Sequence, residues 1–415
     1  MQSRYPAADD APDLYRHHAP TLPTDRQWAA DARLRLSEMD LYVTMKCNLK
    51  CGFCSVCAGS YEHSDLPTER LRSLLCEAKE LGLRELLLIG GEPTLRKDLD
   101  VIVDCAAKLG LFVRLVTNGM VAIRAQLERF FQLGLQELVV SIDGLETTHN
   151  LLRGAGPHGW RRTVACVRDA IDIGLRVRVT TAAFKDNLSE ICDVLRLTEG
   201  LGAFGYSVLM GSPLGRGRSM KDRVLSPYQW RWLEQELTAA AAMLRSDFHV
   251  VMEKGYDWRG GAPVDRSTLK GNGTGCNALL DDFEYLIVRS DGNIYQCVFF
   301  LTEGAPIANI RNQPLREALL YALEQAKYEP FTVPQDRCQR CAFQTDCGTG
   351  CRGYAYLYKR DWLKTDPRCI AEQRQPTRPE YYPLCPMIKV NVRSGEHGGS
   401  TEQAIFPGRS SAAQM

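Results

Sequence analysis

An α/β fold, a partial (β/α)6 barrel, is what residues 38–215 of this 415-residue chain predict, on three observations. Short apolar runs alternate strictly with longer amphipathic ones. Several amphipathic runs end in glycine, and five of the six apolar runs lead into an unusual polar or Gly-rich group. Strict strand–helix alternation argues for a parallel sheet with right-handed crossovers. Six such units favour a closed or partly opened barrel over a doubly wound sheet.

The first strand, 41–46, runs into Cys47-Asn-Leu-Lys-Cys-Gly-Phe-Cys54. A helix over 68–82 precedes a strand over 85–89 and the turn Gly90-Gly91-Glu92-Pro93. A helix over 98–110 leads to a strand over 112–116, followed by Thr117-Asn118-Gly119. The next pair, 121–134 and 137–142, ends in Ser141-Ile142-Asp143-Gly144. A helix at 160–174, a strand at 176–181, a helix at 188–201 and a strand at 205–210 complete the alternation. The last strand enters Gly211-Ser212-Pro213-Leu214-Gly215-Arg216-Gly217. Gly82, Gly110, Gly134 and Gly174 stand where helix C-caps belong. One Gly-rich loop is only a turn. Four or five at the C-terminal ends of one sheet's strands mark the edge where a βα barrel assembles its active site.

Outside the barrel, residues 1–37 read as an N-terminal extension. Residues 216–275 read as a connection with a helix over 226–245, a strand over 248–253 and a Gly-rich loop. Residues 388–415 read as a polar, flexible tail. A formal charge of +1 gives no reason to expect nucleic acid or an anionic membrane as a partner. No apolar run reaches the roughly 20 residues that span a bilayer, and the N-terminus lacks signal-peptide order. A cytoplasmic location is expected.

Sixteen cysteines in such a chain point to metal or redox chemistry rather than a disulfide scaffold. Three lie at 47–54 and eight between 276 and 385. Of the rest, Cys76, Cys105, Cys166 and Cys192 fall in helical stretches and read as small buried hydrophobes. The C-x3-C-x2-C spacing of Cys47, Cys51 and Cys54 supplies three thiolates, which hold three irons of a [4Fe–4S] cube and leave the fourth open. Zinc is the competing reading. Cys57 makes a second C-x2-C with Cys54, and a structural zinc wants four closed ligands.

Together with Gly90–Pro93, Thr117-Asn118-Gly119 and Ser141–Gly144, this motif resembles the radical S-adenosylmethionine (SAM) superfamily over roughly residues 40–210, whose barrel is TIM-like. The resemblance implies that Cys47, Cys51 and Cys54 hold a [4Fe–4S] cluster to which SAM binds through its amino and carboxylate groups. Gly90, Gly91, Glu92 and Pro93 would receive the amino group, with Gly91 allowing close backbone approach and Glu92 supporting the loop. Thr117 and Asn118 would belong to the same site. Ser141 and Asp143 would face the ribose, Arg153 (in a loop after strand four) the carboxylate, and Asn187 the ribose region. The implied chemistry is reductive cleavage of SAM to a 5′-deoxyadenosyl radical, which takes a hydrogen atom from a substrate.

The downstream cysteines resemble the SPASM domain, a loop-rich auxiliary iron–sulfur extension, over 276–387. By that resemblance Cys276, Cys297 and Cys351 ligate one auxiliary [4Fe–4S] cluster, and Cys338, Cys341, Cys347 and Cys369 a second. The first is then one ligand short. Cys385, an open position, or an oxygen of Asp281 or Asp282 are the alternatives. Cys57 reads as a buried thiol or as a hydrogen-atom donor beside the site. Glu253, Lys254, Asp281, Asp282 and Tyr285 are the candidate general bases, each with a structural reading beside it.

Enzymes of similar architecture mostly modify peptides, by oxidation or crosslinking. Others act on small molecules such as sugars or tetrapyrroles by oxidation, epimerisation or decarboxylation. Peptide or protein maturation is the expectation, with the small-molecule class as the alternative. A non-catalytic iron–sulfur carrier is the outside reading, and it has no use for the SAM loops. Residues 1–37 are too short and irregular for a leader-recognition domain, so either a separate leader-binding protein supplies that function or the substrate is not a leader-bearing peptide. An external electron donor such as flavodoxin or ferredoxin is implied.

Overall fold

The structure, a computed structural model, describes residues 34–60, 64–252, 283–304, 306–324, 337–340, 351–361, 363–367 and 369. The expected alternation is present. Strands β1 (Glu38–Thr44), β2 (Glu85–Gly90), β3 (Phe112–Thr117), β4 (Glu137–Ser141), β5 (Arg176–Ala183) and β6 (Gly205–Met210) lie parallel in chain order. The helices between them are α1 (Thr68–Glu80), α2 (Leu99–Lys108), α3 (Arg124–Gln132), α4 (Glu146–Arg153), α5 (Gly159–Ile173) and α6 (Ile191–Gly200). Most bury one apolar stripe, as Leu71, Leu74, Leu75 and Ala78 do on α1, whereas α4 buries His149 and Arg153 beside Leu152. The four glycines expected to close helices all take left-handed φ, from 69 to 103°.

The sheet runs further than six strands. After α7 (Pro227–Ala241), whose N-terminus carries a Ser226–Gln229 capping box, β7 (His249–Met252) pairs parallel with β6. On the other side β8 (Tyr285–Val288) pairs parallel with β1, and β9 (Asn293–Tyr295) and β10 (Ala308–Asn309) follow antiparallel. Part of the segment expected as a SPASM domain therefore continues the barrel's own sheet. The short helix α8 (Phe300–Glu303) lies between β9 and β10, and α9 (Leu315–Glu324) and α10 (Arg352–Lys359) follow β10. No helix among the described residues is long and apolar enough to cross a membrane.

Two local expectations shift. Strand β1 begins at Glu38, three residues earlier than its apolar run suggests, because charged Asp40 is accommodated inside the sheet. The Tyr285 hydroxyl donates to Asp40 Oδ2 at 2.7 Å, and burial raises that carboxyl to about 6. Arg153 lies in the last turn of α4 rather than in a loop. Gly154, with φ 60°, ends that helix.

Candidate active site

The loop after β1 carries the three clustered cysteines, and backbone donors already point at two of their sulfurs. The Leu49 N–H approaches Cys47 Sγ at 3.4 Å, and the Ala58 N–H approaches Cys54 Sγ at 3.4 Å. The loop is fastened on several sides. Gly59 N–H donates to the Met45 carbonyl at 2.8 Å, and Gly52 N–H to the Leu152 carbonyl of α4 at 3.1 Å. Asn118 Nδ2 donates to Asn48 Oδ1 at 2.9 Å. Cys47, Cys51 and Cys54 all line one cavity of about 290 Å³. Burial pushes the Cys47 thiol up and the Cys51 thiol to about 11, while Arg153 pulls both back. A metal binding there must displace thiol protons.

The turn after β2 sits against this loop because its glycines leave no side chain in the way. A Cβ on Gly91 would lie 2.2 Å from the Lys46 carbonyl oxygen, and one on Gly90 2.2 Å from that of Thr44. The Gly91 and Glu92 N–H groups donate to Thr44 and Lys46 carbonyls, both at 2.8 Å. Gly91 thus serves close packing on β1. Glu92 is fully buried and works as a strut between the β2 and β3 loops. Its Oε1 accepts from Thr94 N–H (3.1 Å), the Thr94 hydroxyl (2.6 Å) and the Thr117 hydroxyl (2.8 Å). Its Oε2 accepts from Asn118 N–H at 2.8 Å. Burial raises the carboxyl, and these donors hold it back.

On the β4 side, Asp143 and Arg153 form a buried ion pair, Nε to Oδ2 at 2.6 Å. Asp143 Oδ1 accepts from Ala182 N–H at 2.7 Å, so both carboxylate oxygens are engaged within the protein. The Arg153 guanidinium lies 5.6 Å from the centroid of Phe53, whose ring packs 5.5 Å from Phe184. Arg153 lines the cavity, and its Nη groups have no protein partner among the described residues. They remain available to an anion. His149 Nδ1 accepts from Asp143 N–H at 3.2 Å, while Nε2 is buried without a partner. Burial and the neighbouring Arg153 lower that imidazole to about 3.

Gly90, Gly91, Glu92, Thr117, Asn118, Ser141, Asp143 and Arg153 share the cavity wall with the three cysteines. Four expected residues do not. Pro93 is buried in a 3-10 turn beside it. Asn187 is a brace: its Nδ2 donates to the Asp143 and Ala182 carbonyls (3.0 and 2.8 Å), and its Oδ1 accepts from Phe184 N–H at 2.8 Å. Both of its amide protons are thus spent within the protein, and the side chain is fully buried. Cys57 is buried in left-handed backbone, φ 51°, off the cavity wall. Tyr285 is tied to Asp40, and burial and that carboxyl push its phenol well above the ordinary range, so it is a poor base. Among the helical cysteines, Cys166 and Cys192 are buried as expected, but Cys76 is exposed and Cys105 half-exposed.

Glu253, Lys254, Asp281, Asp282, Cys276, Cys341, Cys347 and Cys385 lie outside the described residues. The other four downstream cysteines are described. Cys297 and Cys351 pack against one apolar cluster of Leu214, Phe299, Tyr354 and Leu357. Asp366 ties Cys351 to Cys369: its carboxylate accepts from Cys351 N–H at 2.8 Å and its carbonyl from Cys369 N–H at 3.0 Å. Cys338 Sγ lies 3.4 Å from the Thr365 hydroxyl. The sequence reading passed over Arg216 and Asn48. A charged residue between two glycines was the available signal for Arg216.

The donor set at 47–54 suits a cube better than a zinc tetrahedron. Three thiols share the cavity, two sulfurs receive backbone N–H groups, and Cys57 is off the wall. Among the described residues no three His, Cys, Asp or Glu side chains converge closely enough for a single ion. Zinc needs four ligands at about 2.0–2.3 Å.

Comparison with known proteins agrees with this arrangement. The Radical SAM superfamily profile matches residues 41–198. The Fe-coproporphyrin III synthase of Methanosarcina barkeri is 32% identical over 369 residues, covering 80% of this chain and 87% of that protein. The PqqA peptide cyclase of Rhizobium meliloti is 29% identical over 347 residues, 81% of this chain and 86% of that one. The crystal structure of Streptococcus suis SuiB bound to S-adenosylmethionine shares the fold. It has a TM-score of 0.67 at 18% identity and covers 82% of this chain and 78% of its own. The chain belongs to the radical SAM superfamily. It is an enzyme of the SPASM type, with SAM and a [4Fe–4S] cluster as cofactors.

Proposed function

We propose that this enzyme matures a peptide or protein by taking a hydrogen atom from it, with Cys47, Cys51 and Cys54 as the cluster ligands. The observation that carries the site assignment is the shared cavity: three thiols, the Glu92-braced turn and the Asp143–Arg153 pair line one wall. Bound there, the cluster and SAM supply a one-electron reductive cleavage that yields a carbon-centred radical. The chain's own residues bind, orient and shield. The N–H groups of Gly91 and Glu92 fasten the turn to the Thr44 and Lys46 carbonyls, and the SAM ammonium, a donor, would be received by carbonyl oxygens of the turn. Arg153, held by Asp143 and stacked on Phe53, directs its Nη groups to the SAM carboxylate. Asp143 positions Arg153 and the Ala182 backbone. Ser141, Thr117 and Asn118 complete the polar wall, and Phe53 and Phe184 exclude water.

The peptide class is supported by the PqqA peptide cyclase relative. Cys297, Cys338, Cys351 and Cys369 are the described candidates for ligands of auxiliary clusters, as the SPASM type implies. An external one-electron donor such as flavodoxin or ferredoxin, and a separate leader-binding protein, complete the system. A second reading has its own observation: the 32% identical relative is named for a tetrapyrrole product. In that reading the substrate is a tetrapyrrole.

The two readings separate in one experiment. Anaerobic, reduced enzyme with SAM is offered short precursor peptides encoded beside its gene and, in parallel, a panel of iron tetrapyrroles that includes less oxidised macrocycles from which Fe-coproporphyrin could be made. A two-hydrogen mass loss or a crosslink in a peptide supports maturation. Turnover of a tetrapyrrole alone sinks it in favour of the second reading.

A further inference from the structure

The loop after β6 reaches back across the cavity and grips the cysteine loop through one side chain. Arg216 donates from its backbone N–H to the Cys54 carbonyl at 3.0 Å. Its Nε donates to the Cys51 carbonyl at 2.9 Å and its Nη1 to the Ala58 carbonyl at 2.8 Å. One residue thus ties down three points along Cys51–Ala58. The flanking glycines make this approach possible. A Cβ on Gly215, which has φ 53°, would fall 2.5 Å from the Ser55 carbonyl oxygen. One on Gly217 would fall 2.7 Å from that of Ser212. Arg216 lines the cavity, yet among the described residues no carboxylate pairs with it. By contrast, its neighbours Arg218 and Arg223 pair with Glu303 and Asp186.

A guanidinium without a counter-ion, held against carbonyl oxygens, is a fixed positive charge beside the three thiols. We propose that Arg216 is a positioning residue for the cluster. It fixes the shape of the cysteine loop, and its charge favours the reduced, more negative state of what the thiols hold. This rests on the reading that Cys47, Cys51 and Cys54 are the ligands. Loss of the charge lowers the reduction potential, whereas loss of the loop contacts weakens iron retention. Lys keeps the charge but cannot span two carbonyls as the planar fork does.

The test uses the full chain, reconstituted anaerobically, as wild type, R216K, R216Q and the Cys47/Cys51/Cys54 triple-Ala variant. The readouts are iron per chain and the electron paramagnetic resonance signal that changes on adding SAM. That signal, absent from the triple variant, identifies the first cluster. Its intensity across poised potentials gives the midpoint. For R216Q we expect about a tenfold lower reduced-to-oxidised ratio at a given potential, about 59 mV for one electron. R216K should keep the wild-type midpoint while holding less iron. A folded R216Q with unchanged midpoint overturns the electrostatic role. If R216Q does not fold, R216K decides: full iron retention overturns the clamp, and a shifted midpoint overturns the charge argument. A SAM-responsive signal that survives in the triple variant refutes the ligand assignment instead.

Discussion

Replacing Glu92 by Gln removes a charge and one acceptor from a buried strut that faces only donors. The amide nitrogen must occupy the place of Oε1 or Oε2. At Oε1 it meets three donors from Thr94 and Thr117; at Oε2 it meets the Asn118 N–H alone. The second orientation is cheaper and leaves one buried backbone N–H unpaired, at about 1–3 kcal/mol. Burial already raises the Glu92 carboxyl, so removing its charge recovers part of that cost. A net loss of about 2 kcal/mol follows, or a fall of about 4–8 °C in Tm for a barrel of this size. Thermal unfolding of the anaerobic apo chain measures it. T117V and the E92Q/T117V double variant complete a cycle, because residues in direct contact couple by about 0.5–3 kcal/mol. A Tm within about 1 °C of wild type, with additive single effects, would refute the strut.

Other consequences are equally specific. Asn187→Asp keeps the Phe184 contact but sets a carboxylate against two carbonyls. It should lower stability by about 2–3 kcal/mol, with unchanged SAM affinity in the folded fraction; calorimetric titration checks this. His149 is held near 3 in the folded state against an unfolded value of 6.5. Its contribution is present above 6.5 and lost as pH falls, about 2 kcal/mol between pH 7 and 5. Asp40, raised from 3.8 to about 6, acts oppositely: its contribution is present below 3.8 and lost as pH rises through 6. It returns about 1 kcal/mol over the same interval. Urea midpoints should therefore show less acid loss in H149Q and more in D40N than in wild type. Cys76→Ser, on the exposed face of α1, should change neither iron content nor Tm.

The barrel was legible because helix and strand periods alternate cleanly and glycine closes four helices. The polar strand ends marked seven further residues of one cavity wall, and the radical SAM resemblance added Arg153. What escaped had physical reasons. Strand β8 is only four residues long, and its Tyr285 pairs with an acidic residue inside β1, which hides both from an apolar count. Asn187 and Asp143 look alike as polar residues after strands. Only their hydrogen bonds separate a brace from a cavity wall. Arg216 stands in the Gly-rich loop after β6, but it acts through backbone carbonyl oxygens, so its partners cannot be read from side-chain spacing. The Cys57 position likewise depends on a left-handed backbone that its sequence neighbourhood does not announce.

The most direct test is 5′-deoxyadenosine formation by anaerobically reconstituted enzyme given SAM and dithionite, beside the Cys47/Cys51/Cys54 triple-Ala variant. The site described here predicts product from the wild type and none above background from the variant. Equal product from both chains, or none from a wild type that holds iron and has its substrate, would contradict it.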